Sequence, residues 1–537
     1  MTDPKIKKAM ALLFNLIEDL SSENSTLREE NQQLRNEIAL LKGEQGKPQI
    51  QGKNQKAAGD ISSEQERREP AKERRKKRSK HEHLEITRTE VIQVDTTQLA
   101  EDAQFKGYDT VIVQDLVVRA EAIAFKKAVS YSPSLKKTFT ADLPAGYQGA
   151  FGPHVKALIL LLKTVGNMSE PKIAEVLSSF SLLISPASID RILTQRKEPF
   201  HQEKEEIFQA GLQSTPSQHI DDTSCRVNGE NRSTQIVCNP WYSASFTREK
   251  KDRLTILEIL SGKLTYLFNH ETETLLTRLG ISTKLQKKLL AGIPKETVLS
   301  HEQLTPLLEP YHLNARQTTR ILEAAAMSGY HAQTGQPIIE ILMADDAPQF
   351  KHLTKELALC WVHDGRHYKK LHPVIPSHRE LLSTFLTHYW EFYHKLLAYK
   401  AGPTPLLAET LSQAFDLLFS THTDYRELDE RIAKTKAKKA QLLLVLQHPE
   451  LPLHNNPAEL AARAQVRKRD VSLQTRTPQG TQVQDTFLTI VETAKKLKVK
   501  LYDSLVDRIT ETYALPSLAS FLLEKSGAQT TALVALP

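Results

Sequence analysis

Apolar side chains recur in alternating steps of four and three residues over positions 6–41. In heptad terms, position d carries Ile6, Leu13, Leu20, Leu27, Leu34 and Leu41, and position a carries Met10, Ile17, Asn24, Asn31 and Ile38. An isolated helix cannot bury such a seam, so the pattern predicts a coiled coil, and Leu at d with Asn at a favours a parallel dimer. The alternative is an amphipathic helix that packs on its own chain.

The segment 43–83 has almost no large apolar residues, which predicts a flexible linker. Nine basic and two acidic residues lie between positions 67 and 80, so this short run accounts for the whole formal net charge of +7. The run includes Arg74, Arg75, Lys76, Lys77 and Arg78. These cations could bind DNA phosphates, or they could form a solvated surface without a ligand.

Helical periodicity returns over residues 149–196. Ser169 is a candidate N-cap for one short helix, and Ser185 followed by Pro186 begins a second one. Two short helices joined by a tight turn suit a helix-turn-helix, in which Arg191 would face a DNA groove. The alternative is a helix pair that only packs.

Three short β-prone runs follow, separated by the turn signals Asn228-Gly229 and Asn239-Pro240. They predict a three-stranded antiparallel meander with Asp221 on its first strand. A carboxylate in that position must be solvated, paired or bound to a metal ion.

Two further acidic residues stand at element ends. An apolar run over 338–343 predicts a buried strand that ends in Asp345, and ligands commonly bind at the carboxyl ends of such strands. Glu459 lies in the first turn of a predicted helix, behind Asn456 as N-cap and Pro457. A purely structural interpretation is open for both: a polar strand end for Asp345 and a helix cap for Glu459.

Three parts of the sequence, taken in order, resemble the three catalytic blocks of DDE transposases of the bacterial insertion-sequence-66 type. They are HIDDT, ADDAPQF with CWVHDGRHYKK, and HNNPAELAAR. The third block is the most specific, because Asn455, Asn456, Glu459 and Arg463 all match its pattern. A later segment, FLTIVETAKKLKVKLYDSLVDRI, is similar to the C-terminal helical part of that family. The resemblance implies an RNase H-like catalytic core.

The resemblance also implies roles for individual residues. Asp221, Asp345 and Glu459 would form the catalytic triad and bind two Mg²⁺ ions, for which Mn²⁺ could substitute. The expected phosphate-binding residues of the third block are Arg463, Lys468 and Arg469. The expected supporting residues are Asn455, Asn456, His363 and Arg366.

Several positions depart from the family's pattern. Asp364 and Gly365 stand where the family has small and basic residues, and His454 stands where an Asp is usual. Asp222 and Asp346, which follow the first two members of the triad, also differ from the family.

The expected fold class is a multidomain α/β protein with large helical content. The predicted domains are a coiled-coil helix (1–42), a basic linker (43–83), a small domain of unassigned fold (84–148), a helix-turn-helix-like DNA-binding region (149–210), an RNase H-like catalytic domain (211–490) and a C-terminal helical segment (491–537). Because the three carboxylates lie far apart in sequence, helical insertions are expected at about 262–334 and 380–447. The family commonly has a cysteine zinc-binding module where residues 84–148 contain no cysteine.

Composition and the absence of certain motifs argue against several classes of protein. Three cysteines, none in a CxxC pair, argue against a disulfide scaffold and a thiolate zinc finger. Cys360, His363 and His367 have a zinc-like spacing but supply only three ligands. Neither a membrane span nor a signal-peptide layout is evident, which predicts a protein that is neither secreted nor membrane-embedded and has no membrane partner. The few cysteines predict a cytoplasmic protein, and the resemblance implies a bacterial one that is associated with the nucleoid. A GxSxG elbow and a P-loop are also absent, which disfavours a serine hydrolase and ATP-driven transposition by this chain.

The expected function is that of a homodimeric transposase that cleaves transposon ends and joins their 3′-hydroxyl ends to target DNA, with accessory transposition proteins as further partners. One alternative is an RNase H-like nuclease that cuts without joining. Another is a non-catalytic DNA-binding or scaffold protein derived from a transposase. Convergence of the three carboxyl groups would favour the enzymes over the scaffold.

Overall fold

The computed structural model describes residues 4–41, 85–95 and 103–527. These ranges are rich in helix and contain a mixed sheet, in agreement with the predicted α/β class. The strands are β1 (Val129–Ser132), β2 (Lys137–Thr140), β3 (Ser217–Val227), β4 (Glu230–Cys238), β5 (Ser243–Arg248), β6 (Ile341–Ala344) and β7 (Glu356–Leu359). The helices are α1 (Pro4–Leu41), α2 (Pro153–Thr164), α3 (Glu170–Ser179), α4 (Pro186–Thr194), α5 (Glu198–Ser214), α6 (Arg253–Ser261), α7 (His270–Arg278), α8 (Thr283–Gly292), α9 (His301–Leu308), α10 (Ala315–His331), α11 (Trp361–Lys369), α12 (Pro376–Ala401), α13 (Pro405–Leu418), α14 (Arg426–Lys436), α15 (Lys439–Leu442), α16 (Asn456–Ser472), α17 (Pro478–Leu497), α18 (Leu501–Ile509) and α19 (Leu518–Ser526).

The main sheet has the strand order β5-β4-β3-β6-β7. Strands β3, β4 and β5 form the predicted antiparallel meander, and β6 and β7 continue the sheet in parallel on the other side of β3. The turn between β3 and β4 is confirmed at Asn228 and Gly229, whose φ angles of 49° and 81° fit a type I′ hairpin. The strand predicted over 338–343 is shorter than expected and begins at Ile341. The backbone N–H of Ile339 donates to the hydroxyl of Tyr330 and not to a carbonyl of a neighbouring strand.

Two large hydrophobic cores surround this sheet. The first core joins the sheet to α2–α10 and α17–α19. The second core lies among α11–α15 and includes Leu359 at the end of β7. The completely buried Trp361 belongs to the second core, where its indole N–H donates to the carbonyl of Leu442 at 2.8 Å. Helices α7–α10 occupy the first predicted insertion, and α12–α15 occupy the second.

The helical pair α3 and α4 forms as predicted. Its buried contacts come from Ile173, Leu177, Ile189 and Leu193. Ser185 is the N-cap of α4, and its hydroxyl accepts the N–H of Ser188 at 3.2 Å. Ser169 is the N-cap of α3 but makes no side-chain cap hydrogen bond. Contact with DNA by this pair stays a prediction.

The N-terminal helix α1 covers the predicted rod. Its d-position residues Leu13, Leu20 and Leu27 are exposed, whereas Glu18 on another face is buried against the start of α12. The helix is therefore confirmed, and its pairing with a second helix stays a prediction. Among the described helices, none combines the length and apolarity needed to cross a lipid bilayer.

The region 84–148 contains, in its described part, one pair of strands, the hairpin of β1 and β2. Apolar side chains such as Phe105, Val117 and Phe139 are exposed there. A separate domain in this region stays a prediction. The basic cluster Arg74, Arg75, Lys76, Lys77 and Arg78 lies outside the described residues.

Candidate active site

Strand register places the first two predicted carboxylates next to each other. Strands β3 and β6 pair in parallel up to His219 and Met343, and two residues further along each chain come Asp221 and Asp345. Side chains two residues apart on a strand share a face, and neighbouring strands lie about 4.8 Å apart. The chain turns away directly after β6, where Asp345 Oδ1 accepts the N–H of Ala347 at 3.0 Å.

Asp221 lies in an environment that disfavours its charge. Burial is the main cause, and the neighbouring carboxylates of Asp345, Glu459 and Asp222 add to it; together they raise the pKa of Asp221 to about 7. The N–H of Asp222, which donates to Asp221 Oδ1 at 2.8 Å, acts in the opposite direction. Asp345 and Glu459 are thus both close enough to Asp221 to disfavour its charge.

Glu459 is carried to this site by helix α16. The helix packs on the sheet through Ala461 and Ala462, which contact Ile236 of β4. The Glu459 carboxylate forms a two-pronged ion pair with the guanidinium of Arg366, with N–O distances of 3.2 and 3.3 Å. This pair joins α16 to α11.

The predicted cap of this helix is wrong by one residue. The N-cap is Asn455, not Asn456, and no side chain caps the helix from that position. Asn455 bonds across to β3 instead: its Nδ2 donates to the carbonyl of Ile220 at 2.7 Å, and its Oδ1 lies 2.9 Å from His219 Nδ1. Because Nδ2 is the donating end, Oδ1 accepts, and His219 carries its proton on Nδ1. Burial lowers the pKa of His219 to about 4, which keeps the ring neutral.

His219 was not predicted as a site residue, although it stands two positions before Asp221 on the same strand. The hydrogen bond from His219 to Asn455 fixes β3 to the start of α16. It therefore sets the distance between Asp221 and the helix that carries Glu459. The alternation of side chains along HIDDT, which places His219 on the same face of the strand as Asp221, could have indicated this residue.

Comparison with known proteins relates this chain to a transposase family. Residues 323–483 match the family described as Transposase IS66 family, a stretch that includes Asp345 and Glu459. The chain is also 30% identical over 330 residues to "Uncharacterized protein y4jO" of Sinorhizobium fredii, an alignment that covers 60% of this chain and 100% of that protein. This chain belongs to the IS66 transposase family.

The residues that depart from the IS66 pattern have structural partners. Asp364 is buried and accepts hydrogen bonds from Thr435 Oγ1 at 2.8 Å and from the guanidinium of Arg431. Gly365 faces the indole of Trp390, and a Cβ atom there would come within 2.7 Å of the ring. Both departures are therefore adapted to helices of the second core.

His454 replaces the usual Asp of the IS66 pattern without loss of an acceptor. Its Nδ1 accepts the N–H of Asn456 at 3.3 Å, at the first turn of α16. A carboxylate could accept the same N–H, because the first helical N–H groups have no partner within the helix. The substitution keeps this hydrogen bond and removes one negative charge from the site.

The extra carboxylates Asp222 and Asp346 have cationic partners. Lys251 lies 3.3 Å from Asp222, and Lys438 lies 2.5 Å from Asp346. Burial alone would raise the pKa of Asp346, but the hydrogen bond and charge of Lys438, together with Lys351, lower it below its ordinary value. Lys438 also lies 3.4 Å from Asp364, so it connects the strand end that carries Asp345 to α11.

Cys360 has a structural role. It is the N-cap of α11, where its sulfur accepts the backbone N–H groups of His363 and Asn455, both at 3.3 Å. Burial raises the pKa of the thiol to about 12, so it is not a ready metal ligand. His363, predicted as a supporting residue, is half-buried beside Asp346 in a small cavity.

The predicted phosphate-binding residues are in unequal positions. Arg463 is exposed on α16, and Arg469 donates to the carbonyl of Ser224 on β3 at 2.7 Å. Lys468 differs from the expectation, because its side chain is buried and donates to the carbonyl of Lys163 at the end of α2. Burial lowers the pKa of Lys468 to about 7. Arg191 is exposed on α4, as a DNA contact would require.

The donor set of the site suits a hard cation. Among the residues that the structure describes, no group of three or more His, Cys, Asp and Glu side chains is arranged to hold a metal ion as it stands. The triad nevertheless offers carboxylate oxygens alone, which are the donors that Mg²⁺ prefers. To bind a metal ion, Glu459 would have to give up its ion pair with Arg366.

Proposed function

We propose that this chain is a DDE transposase that cleaves the ends of an insertion sequence and joins their 3′-hydroxyl ends to target DNA. The observation that carries the proposal is the parallel register that aligns Asp221 with Asp345 beneath the helix of Glu459. Membership of the IS66 transposase family supports it. Three antiparallel strands followed by two parallel ones, in the observed order, support an RNase H-like core.

The triad would bind two Mg²⁺ ions, with Mn²⁺ as a substitute. Bound there, the ions supply the activation of an attacking oxygen and the stabilisation of a leaving oxygen in phosphoryl transfer. Asp221 lies on the central strand β3 and Asp345 directly follows the neighbouring strand β6, and α16 brings Glu459 towards them. The high pKa of Asp221 makes its proton the one that must leave when a cation binds.

Arg366 has two roles in this proposal. In the DNA-free protein it neutralises Glu459 and limits repulsion within the triad. If Glu459 binds a metal ion instead, the planar guanidinium of Arg366 would also suit a DNA phosphate as a partner. Arg463, on the exposed side of α16, would bind the same DNA backbone.

The remaining partners are proposed on the same basis. DNA contacts would come from α4 through Arg191 and from the basic cluster at residues 74–78. The protein would act as a homodimer through α1, in the bacterial cytoplasm at the nucleoid, with accessory transposition proteins.

The test is strand transfer with pre-cut transposon ends, target DNA and Mg²⁺. Wild-type protein should give joined products, and Asp345→Ala should give none while it still binds the ends. Asp503→Ala, which changes an exposed carboxylate on α18, is the matched control and should join normally.

Cleavage without joining by the wild-type protein would favour the nuclease alternative. DNA binding with neither cleavage nor joining would favour the scaffold alternative. Full joining by Asp345→Ala would overturn the assignment of the triad.

A further inference from the structure

Helix α1 is attached to the catalytic body by a buried carboxylate. Glu18 is 5% exposed, and its two oxygens accept the backbone N–H groups of Val374 and Ile375, both at 2.9 Å, at the start of α12. Glu18 Oε1 also lies 3.2 Å from Nδ1 of the buried His378. The carboxylate thus satisfies N–H groups that a helix start leaves without partners, and its charge suits the positive end of α12.

Neighbouring residues on α1 fix the position of the helix along this surface. Asn15 donates to the carbonyl of Asp424 and accepts the N–H of Arg426, both at 3.0 Å. Asp19 forms an ion pair with the side chain of Arg426. Phe14 packs edge-on against the ring of His378, with ring centres 6.0 Å apart. A shift of one helical turn would break all of these contacts.

The docked face is different from the apolar seam. Residues 14, 15, 18 and 19 occupy heptad positions e, f, b and c, which lie outside the a and d positions of the seam. The seam itself is open, because Leu13, Leu20, Leu27 and Leu34 are 54–58% exposed. Such a regular row of exposed leucines marks an interaction surface.

Charges beside the seam select a second copy as its occupant. In the C-terminal half of α1, position g carries Glu23 and Glu30, and position e carries Arg28 and Arg35. In a parallel, in-register pair, each g residue faces the e residue five positions later on the other helix. Glu23 would then face Arg28 of the partner subunit, and Glu30 would face Arg35 of the partner subunit. An antiparallel pair would instead place Glu against Glu and Arg against Arg.

We propose that α1 is a two-faced coupling element. The outer face of its N-terminal half fixes it to α12 and α14, and its seam pairs in parallel and in register with α1 of a second copy. The two catalytic bodies of a dimer are thereby held in a defined relation, because the dimer contact and the body contact lie on one continuous helix. The inference rests on the homodimer of the proposed function. It adds the orientation of the paired α1 helices and the attachment of α1 to the rest of its own chain.

The first experiment tests the pairing by charge exchange in the full-length protein, without DNA or Mg²⁺. Arg28→Glu with Arg35→Glu should weaken self-association by roughly a hundredfold, and so should Glu23→Arg with Glu30→Arg, because attractive pairs become repulsive. A mixture of the two variants should recover a dimer. Analytical ultracentrifugation measures all three. Unchanged self-association of either variant, or a mixture that stays monomeric, would overturn the parallel pairing.

The second experiment tests the attachment. Glu18→Gln should remain dimeric, but hydrogen exchange should accelerate at the backbone amides of Val374 and Ile375 by about tenfold or more, the loss expected for a charged hydrogen bond. Glu29→Gln, at the exposed heptad position f of the same helix, is the matched control and should leave those amides unchanged. Equal exchange in Glu18→Gln and wild type would refute the attachment. Both experiments can succeed in a protein that has no transposase activity, so their failure is distinguishable from failure of the proposed function.

Discussion

Burial couples the protonation of Asp221 to folding. An unfolded Asp ionises near pH 4, whereas the folded site raises the pKa of Asp221 to about 7. The folded state therefore binds this proton more tightly than the unfolded chain does. It follows that the free energy of unfolding falls as pH rises through this interval, in the absence of a metal ion.

We expect Asp221→Asn to stabilise the metal-free protein, because the amide has no charge to bury. The gain in the free energy of unfolding should be about 2 kcal/mol larger at pH 8 than at pH 5. Thermal unfolding in EDTA at the two pH values measures this difference. Asp503→Asn, an exposed change on α18, should show no such pH dependence. A gain of equal size at both pH values would contradict the role of burial.

In the proposed function, Arg366 would compete with a metal ion for Glu459. Arg366→Gln should increase Mg²⁺ affinity in the absence of DNA, because Glu459 is then free, and should lower strand transfer by about tenfold, as expected for one lost charged hydrogen bond. Titration calorimetry and the joining assay measure the two effects. Arg316→Gln, on the exposed start of α10, should change neither. Weaker Mg²⁺ binding by Arg366→Gln would contradict this competition.

At the scale of elements, the cations of α16 divide into exposed and buried ones. Arg463→Ala should reduce the slope of log K for DNA binding against log salt by about one, the change expected for one lost phosphate contact. Lys468→Met should leave that slope unchanged, because the ammonium lies against the carbonyl of Lys163. Binding measured over a salt series distinguishes the two variants. An equal effect of both would show that Lys468 reaches DNA.

The features that sequence predicted well are set by a few consecutive residues. The turn at Asn228 and Gly229 needs only residues that tolerate positive φ, and the start of α4 needs only Ser185 and the proline behind it. The helix of α1 follows from a repeat that is complete within one segment. The mixed α/β class follows from the alternation of such local patterns.

The features that sequence missed depend on distant partners. Asn455 bonds to β3 residues more than 230 positions away, and the local capping pattern, which indicated Asn456 as the N-cap, contains no sign of this contact. The Arg366–Glu459 pair joins residues 93 positions apart, and nothing in either segment specifies the other. Lys468 belongs to a residue type that is usually exposed, and nothing in its own segment indicates that it is buried against the carbonyl of Lys163.

At the scale of the whole molecule, the candidate site draws on both hydrophobic cores. The sheet of the first core supplies Asp221 and Asp345, whereas α11 of the second core supplies Arg366. Helix α16 contacts both, through Ala462 on the sheet and through Glu459 on α11. The second hydrophobic core is therefore part of the candidate site's architecture.

The ion pairs of Lys438 bear on how the candidate site responds to heating. Its ammonium is the cation shared by Asp346 and Asp364, and it belongs to the short connection between α14 and α15. If those helices melt locally, Asp364 loses both Lys438 and Arg431, and Asp346 keeps only Lys351 as a counter-charge. Heat inactivation would then begin in the second core, at a temperature below the one that melts the sheet.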